Sequence, residues 1–311
     1  MTIDDKILEN PVLLLAARSW KLNHNIDDKI FQKVFDINLK RYDCLVENGY
    51  NVRILGVKDS KLPRQTDAKR YWAFLEKFER ERPGSTARIT VDNDEEFRHL
   101  LWPCDIFQIF GKNIFAFPGL ENLAGKILNE VDIDADITPS KLGDGGYIIR
   151  DGNILAISEA IKSSPELKNL SNYRIHILPV MTNKQNYVLY ERMNKLQGHI
   201  DVEINQIDSK ICVTPEYYAA FKRKINEYVR IVNHFTDSKA ELYEIPQKEF
   251  YWKAANFRTM HDKKIIILDK CPKTANWLGS KLGPENVIAL PSDNADFYFA
   301  GGIKCRSNLV V

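Results

Sequence analysis

Short apolar runs rich in β-favouring residues alternate with tight polar turns in the chain beyond residue 104. Four times, two such runs flank a short polar turn, and the Asp151-Gly152 turn is typical of a β-hairpin. The four segments are residues 105–117, 144–157, 199–213 and 256–268. The pattern therefore predicts four β-hairpins.

A stretch with helical spacing of apolar residues follows each predicted hairpin. After the third hairpin, Thr214 is expected to be an N-cap and Pro215 to occupy the first turn, and apolar residues from Tyr218 to Val232 share one helical face. The other helices are predicted at residues 120–131, 158–167 and 272–282, with further short strands at 174–180 and 286–290. Each unit thus has the order strand, strand, helix, strand.

The two ends of the chain together supply a fifth unit of the same kind. The last strand, within residues 302–310, has no following partner, but an apolar strand at 11–17, a helix at 26–48 ended by Gly49, and a strand at 51–57 begin the chain. Pairing strand 11–17 beside strand 302–310 would close five ββαβ units into a ring. The alternative stays open, because a hairpin followed by a helix is common in any α/β protein.

The composition is that of an ordinary soluble globular protein and narrows the function. Of the 311 residues, 44% are apolar and 28% charged, and the net charge is only +2, which argues against a nucleic-acid partner. The longest apolar run, residues 11–17, is too short to cross a bilayer, and the N-terminus lacks the pattern of a signal peptide. We therefore expect a chain that neither spans a membrane nor binds nucleic acid.

The five cysteines are odd in number, lie far apart and include no Cys-x-x-Cys pair. This spacing suggests neither a disulfide framework nor a zinc site. It favours a reducing cytoplasm, where a cysteine stays available as a thiolate nucleophile. The sequence leaves a homo-oligomeric state open.

A chemically capable polar residue opens each hairpin and the last strand. These residues are Asp105, Asp144, His199, Asn256 and Cys305. In a closed ring, such positions would converge near the axis, although they are distant in sequence. A site built on the ends of rigid elements suits catalysis, and Asn256 is the member expected to be structural.

Four short motifs around these residues resemble the pentein, or guanidine-modifying, enzymes. They are Trp102-Pro-Cys-Asp105, Asp144-Gly-Gly, Gly198-His199-Ile-Asp201 and Gly301-Gly-Ile-Lys-Cys305, in the order found in arginine and agmatine deiminases, dimethylarginine hydrolases and amidinotransferases. The sequence departs from that pattern where Cys104 replaces an arginine, where Tyr147 replaces an acidic residue and where Ala300 precedes only two glycines. The resemblance spans residues 102–311.

The resemblance implies a pentein α/β propeller, with five ββαβ units around a pseudo-fivefold axis in a single catalytic domain, residues 1–311. Cys305 would attack the guanidinium carbon, His199 would exchange protons with the leaving amine and with water, and Asp144 would orient the imidazole. The product would be a ureido compound with ammonia or an amine. No metal or organic cofactor is expected.

The substrate-binding residues implied by the resemblance match the planar, cationic guanidinium group. Carboxylates fit its fork of N–H donors, so Asp105 and Asp201 would bind it. Trp102 would form a wall of the pocket, and Gly301 and Gly302 would let the backbone approach the ligand. Each of these residues also has a structural or non-catalytic interpretation. Trp102 could be a buried aromatic, and the aspartates could be residues of a strand start or a turn. His199 could be half of a metal site.

Other functions remain compatible with the sequence. An amidinotransferase would pass the same covalent intermediate to an amine, and a non-catalytic pentein would only bind a partner. The segment 61–82 mixes basic and aromatic residues and could be a lid or a nucleic-acid surface. Acidic residues interleaved there favour an amphipathic helix that packs its aromatic side chains.

Overall fold

The computed structural model describes residues 11–16, 28–60, 65–93, 96, 99–100, 102–181, 198–292, 304–305 and 307–310. The chain divides into two compact units. Unit 1 takes the described residues within Met1–Gly143, Leu290–Ala295 and Cys305–Val311, and unit 2 those within Asp144–Ala289 and Asp296–Lys304.

The first sheet of unit 1 joins strands from both ends of the chain. Its strands are β1 Val12–Ala16, β2 Asn51–Ser60, β3 Thr86–Val91 and β16 Ser307–Val310, in the order β16-β1-β2-β3. Strand β16 runs antiparallel to β1, with Val310 opposite Val12, and β2 and β3 continue in parallel. Helices α1 Asp28–Glu47 and α2 Gln65–Glu81 supply the crossovers that parallel pairing requires.

The second sheet of unit 1 is built from the first predicted hairpin. Strands β4 Phe107–Phe110 and β5 Asn113–Ala116 pair antiparallel, helix α3 Glu121–Asn129 follows, and β6 Ile137–Pro139 returns parallel to β5.

Unit 2 contains three further sheets. Their strands are β7 Ile148–Asp151, β8 Ile154–Ser158 and β9 Arg174–Leu178; β10 Ile204–Ile207, β11 Lys210–Val213 and β12 Glu241–Glu244; and β13 Arg258–Thr259, β14 Ile265–Leu268 and β15 Val287–Leu290. Its helices are α4 Pro215–Phe235, α5 Gln247–Phe250 and α6 Pro272–Leu282. Each sheet begins with an antiparallel pair and adds a third strand after a crossover.

The four predicted hairpins are confirmed, and the fold is mixed α/β with five small sheets in the described part of the chain. Each sheet repeats one plan, because β16 and β1 form the antiparallel pair that β2 then extends. The pairing of β1 with β16 is the one that ring closure needs. The fivefold propeller and the single domain over residues 1–311 stay predictions.

Burial of apolar side chains explains why these short strands are stable. In unit 2, both strands of the β10–β11 hairpin are buried along their full length, and helix α4 lays one face against them. Ile204 and Ile211 from the strands pack with Ile225, Tyr228 and Val232 from the helix. Burial of each such side chain contributes about 1.5–3 kcal/mol.

One local prediction was wrong. Residues 158–167 do not form an α-helix, because Pro165 starts a new turn, and two 3-10 segments lie at Glu159–Ile161 and Pro165–Leu170. Thr214 is the N-cap residue of helix α4 and Pro215 lies in its first turn, as predicted, although the Thr214 side chain makes no capping hydrogen bond. Its hydroxyl instead donates to Glu203 Oε2 at 2.6 Å.

The segment predicted as an amphipathic helix is α2. Its aromatic side chains Phe74 and Phe78 are buried, and the Phe78 ring meets the Tyr42 ring edge to face at 5.3 Å. Helix α1 ends at Glu47, just before the predicted stop at Gly49, whose φ of 86° is the left-handed conformation that glycine adopts without strain. Within the described ranges, no helix has the length and apolar character needed to cross a bilayer.

Candidate active site

Each of the five hairpin-opening residues lies in a turn, two to five residues before the first strand of its sheet. Unit 2 carries Asp144, His199 and Asn256 at these positions, and unit 1 carries Asp105 and Cys305. The sheets therefore present the predicted residues at equivalent places in the repeated plan.

The structure brings Asp144 and His199 together, although 55 positions separate them in the sequence. Asp144 Oδ2 lies 3.0 Å from His199 Nε2, and both side chains are buried, with 9% and 6% exposed. The other carboxylate oxygen of Asp144 accepts from the Gly146 amide at 2.9 Å and so caps the 3-10 turn Gly145–Tyr147. A carboxylate held in this way favours the imidazole tautomer with its proton on Nε2.

Gly146 lets the imidazole of His199 lie directly on the backbone. A Cβ added at Gly146 would stand 2.1 Å from His199 Nδ1, so any side chain there would displace the ring. The Tyr147 ring meets the imidazole edge to face, with centroids 5.0 Å apart. The Gly146 carbonyl also accepts from the amide of Ile200 at 2.8 Å, which joins the two turns.

Asp201 is fully buried, two residues after His199. Its Oδ2 accepts from Asn256 Nδ2 at 2.8 Å and from Lys304 Nζ at 3.1 Å. Asn256, predicted to be structural, is fully buried as well and fixes this carboxylate.

Lys304 is a functional candidate that the sequence analysis missed. Its ammonium group donates to the carbonyls of Gly145 at 2.9 Å and Ile148 at 2.7 Å, and to Asp201. The available signal was a lysine between Ile303 and Cys305 at the opening of a strand, where a solvated charge is out of place.

In unit 1, Asp105 and Cys305 are both buried. Asp105 ends the 3-10 turn Pro103–Asp105, and its amide donates to the carbonyl of half-buried Trp102 at 2.9 Å. Asn308 of β16 donates to the carbonyls of Pro103 at 3.1 Å and Phe107 at 2.9 Å, which fixes this turn against the strand that follows Cys305.

Other thiols are poor candidates for a nucleophile. Burial raises the pKa of Cys212 and of Cys271 well above the ordinary thiol value, so both stay protonated near neutral pH. Burial also raises the pKa of Cys44.

Of the predicted pairs, the structure joins Asp144 with His199 within unit 2. Gly301 and Gly302 lie outside the described residues. The roles of Trp102, Asp105 and Cys305, and the meeting of Cys305 with His199, stay predictions.

Known structures share the fold. The N-terminal domain of ArgZ, an arginine dihydrolase from cyanobacteria, is 12% identical, with a TM-score of 0.59 and coverage of 97% of this chain and 98% of that domain. A dimethylarginine dimethylaminohydrolase is 12% identical, with a TM-score of 0.51 over 95% of this chain and 98% of the other. AgrE is 14% identical, with a TM-score of 0.57.

This chain spans 40% of full-length ArgZ and 39% of AgrE, while 97% of this chain is covered in both comparisons. No family model matches it, and no curated protein matches it at a significant level. The resemblance to the pentein enzymes noted in the sequence is thereby confirmed at the level of the fold.

Proposed function

We propose that this chain, which has the fold of the pentein enzymes, is a cysteine-dependent hydrolase of a small-molecule guanidine. The supporting observation is the buried Asp144–His199 pair, which opens two hairpins of that fold in the order expected for these enzymes. The likeness to an arginine dihydrolase over 97% of the chain supports the same reaction class.

In the proposed first step, the thiolate of Cys305 attacks the guanidinium carbon, and a C–S bond forms. The C–N bond to the leaving amine then breaks as His199 gives that nitrogen a proton, which leaves an amidino group covalently attached to sulfur. A variant of the ArgZ domain has been captured covalently bonded to a reaction intermediate, which supports a covalent route.

In the second step, His199 takes a proton from water, and the hydroxide adds to the same carbon. The C–S bond breaks, Cys305 leaves as thiolate, and the product is a ureido compound. Asp144 would keep the proton of the imidazole on Nε2, so that Nδ1 is the basic nitrogen. A reducing cytoplasm, expected from the cysteine pattern, would keep Cys305 as a thiol.

Asp105 and Asp201 are proposed to bind the guanidinium. Two carboxylates facing a planar cation would hold it charged and electrophilic and would fix its central carbon for attack. Water as the acceptor, rather than an amine, is supported by the names of two similar structures, a dihydrolase and a dimethylaminohydrolase.

The test is to incubate the purified protein with arginine, agmatine and methylated arginines and to measure ureido product together with ammonia or amine. We expect turnover of one of these guanidines and its loss in Cys305→Ser. Cys44→Ser is the matched control, because Cys44 is a free thiol on helix α1 and does not open a hairpin.

A second measurement addresses the nucleophile without turnover. A haloacetamidine should add one amidine to the intact protein by mass spectrometry, and the adduct should map to Cys305. Equal turnover in Cys305→Ser and wild type would reject the proposed nucleophile, and no turnover of any guanidine would reject the function.

A further inference from the structure

A buried lysine connects the two turns that carry Asp144 and His199. The side chain of Lys304 is 12% exposed, and an ammonium group has three protons to donate. The structure provides three acceptors, namely the carbonyls of Gly145 and Ile148 and the carboxylate of Asp201, at 2.9, 2.7 and 3.1 Å. A charge is retained in a protein interior when its donors are paired in this way.

The three acceptors belong to the two turns of the candidate site. Gly145 directly follows Asp144, and Ile148 begins strand β7 after the same turn. Asp201 lies two residues after His199. One ammonium group therefore holds the turn of the orienting carboxylate against the turn of the imidazole.

The backbone of Lys304 is fixed as firmly as its side chain. Its amide donates to the carbonyl of Asn256 at 3.1 Å, and its own carbonyl accepts from Arg258 Nη2 at 2.7 Å. Asn256 in turn donates to Asp201. The residue immediately before Cys305 is thus held at its amide, its carbonyl and its ammonium group.

Lysine fits these three acceptors better than arginine would. Its ammonium is a compact charge with donors that point in three directions, whereas a guanidinium is planar and presents its donors in one fork. Its positive charge also compensates the buried carboxylate of Asp201, which would be costly to keep ionised alone.

We propose that Lys304 is a positioning residue, which aligns the Asp144 and His199 turns with each other and anchors the chain directly before Cys305. This role rests on the proposed function, since it acts on the residues assigned to catalysis. Lys304 contributes through these residues, so its loss should lower kcat. KM should change much less, because Asn256 still holds the carboxylate of Asp201, the proposed guanidinium ligand, when Lys304 is replaced.

The experiment compares Lys304→Met, which removes the ammonium group, with Lys304→Arg, which keeps the charge but changes the donor geometry. Lys263→Met is the matched control, because Lys263 also pairs with an aspartate but its side chain is 75% exposed. Steady-state kinetics on the best guanidine give kcat and KM, corrected for the folded fraction. Amide hydrogen exchange reports on Ile200, whose N–H bonds the Gly146 carbonyl across the two turns.

In both Lys304 variants we expect exchange at Ile200 to rise at least about tenfold, and kcat to fall at least about tenfold with KM within about threefold of wild type. Lys263→Met should change neither. If Lys304→Met does not fold, the proposal is tested with Lys304→Arg, which keeps the positive charge beside the Asp201 carboxylate. Unchanged exchange, or an unchanged kcat in a folded Lys304 variant, overturns the proposal.

The exchange measurement separates this proposal from the proposed function. If wild-type protein hydrolyses no guanidine, the function fails, and faster exchange in the Lys304 variants would still support the alignment of the two turns by this lysine. If wild-type protein is active but exchange at Ile200 stays the same, the function stands and the positioning role fails.

Discussion

Strands β7 and β10 of unit 2 have polar clusters near both of their ends, and the carboxylates in the two clusters have different hydrogen-bond partners. The opening cluster precedes the strands and comprises Asp144, His199, Asp201, Asn256 and Lys304. Its aspartate Asp201 accepts from a lysine ammonium and from an amide. The negative charge is compensated inside the protein.

The turn cluster lies where the same strands end and comprises Asp151, Gln206, Asp208, Tyr228 and Lys263. The carboxylate of Asp151 accepts from Gln206 Nε2 at 3.1 Å, and the Tyr228 hydroxyl donates to the same glutamine. Burial, and then the negative charge of Asp208, raise the pKa of Asp151 to about 6. Here neutral donors surround the carboxylate, and the cation Lys263 pairs with Asp208 at the surface.

The two clusters differ in whether a cation pairs directly with the aspartate. Both clusters hold an aspartate by hydrogen bonds, but only in the opening cluster does a lysine with a largely buried side chain donate to it. The neutral donors around Asp151 do not offset its burial, so this carboxylate takes up a proton within the ordinary pH range.

The largest expected effect separates the clusters by activity. His199→Asn removes the proposed acid and base, so kcat on the best guanidine should fall about 10²–10⁴-fold. Tyr228→Phe, in the turn cluster, should leave kcat within about twofold. Parallel steady-state assays check both values, and comparable losses in the two variants would mean that the clusters do not differ in function.

The next effect is on stability. Lys304→Met leaves the Asp201 carboxylate buried beside a neutral side chain, so the free energy of unfolding should fall by about 3–5 kcal/mol at pH 7. Urea denaturation followed by circular dichroism measures it. A loss below about 1 kcal/mol would indicate that the Lys304–Asp201 pair is not a compensated buried charge.

The turn cluster should make the free energy of unfolding depend on pH. The pKa of Asp151 is raised from 3.8 to about 6, so the folded state holds its proton more tightly than the unfolded state. Its contribution is therefore complete below about pH 4 and is lost as the pH rises through about 6. Relative to wild type, Asp151→Asn should gain on the order of 2–3 kcal/mol of unfolding free energy between pH 4 and pH 7.

The difference between variant and wild type is the quantity to measure, because another group opposes this trend. Burial and then the positive charge of Lys224 lower the pKa of His176, whose ring stacks on Tyr228. His176 stabilises the fold above its unfolded pKa and does so less as the pH falls. Subtraction of the two pH profiles removes its contribution, and a flat difference would contradict the raised pKa of Asp151.

The smallest expected effect is the loss of one buried hydrogen bond. Tyr228→Phe removes the donor to Gln206 and leaves a buried acceptor, which should cost about 1–2 kcal/mol of unfolding free energy at pH 7. The same variant tested for activity above serves here, so both values come from one protein. If Tyr228→Phe lowered the free energy of unfolding as much as Lys304→Met does, the two clusters would not differ in how strongly they stabilise the fold.

The periodicity of apolar residues was sufficient to predict most of the helices and strands. Helix α6 has the predicted bounds, Pro272–Leu282, because Pro at its start and a glycine after its end are local signals. The segment 158–167 has apolar spacing that resembles a helix, but Pro165 interrupts its hydrogen bonding. The local sequence pattern does not show whether the apolar spacing or the proline determines the structure of this segment.

The candidate site was predictable only where its residues belong to recognisable motifs. Asp144 and His199 were paired in advance by their resemblance to a family pattern. Lys304 lies inside the Gly301-Gly-Ile-Lys-Cys305 motif, but its role was not predicted, because its partners Gly145 and Asp201 lie 159 and 103 positions away and no local rule connects them. Long-range hydrogen bonds of this kind depend on the completed packing of the strands.

The pairing of β1 with β16 has a consequence for synthesis on the ribosome. Strand β1 can pair early with β2, which follows it closely in the chain, but its other edge waits for β16, which is synthesised much later. Until then a wholly apolar strand offers unpaired backbone groups to any neighbouring chain, which is a known route to aggregation. Such a distant pairing also slows folding, so loss of the final strand would leave this edge permanently open.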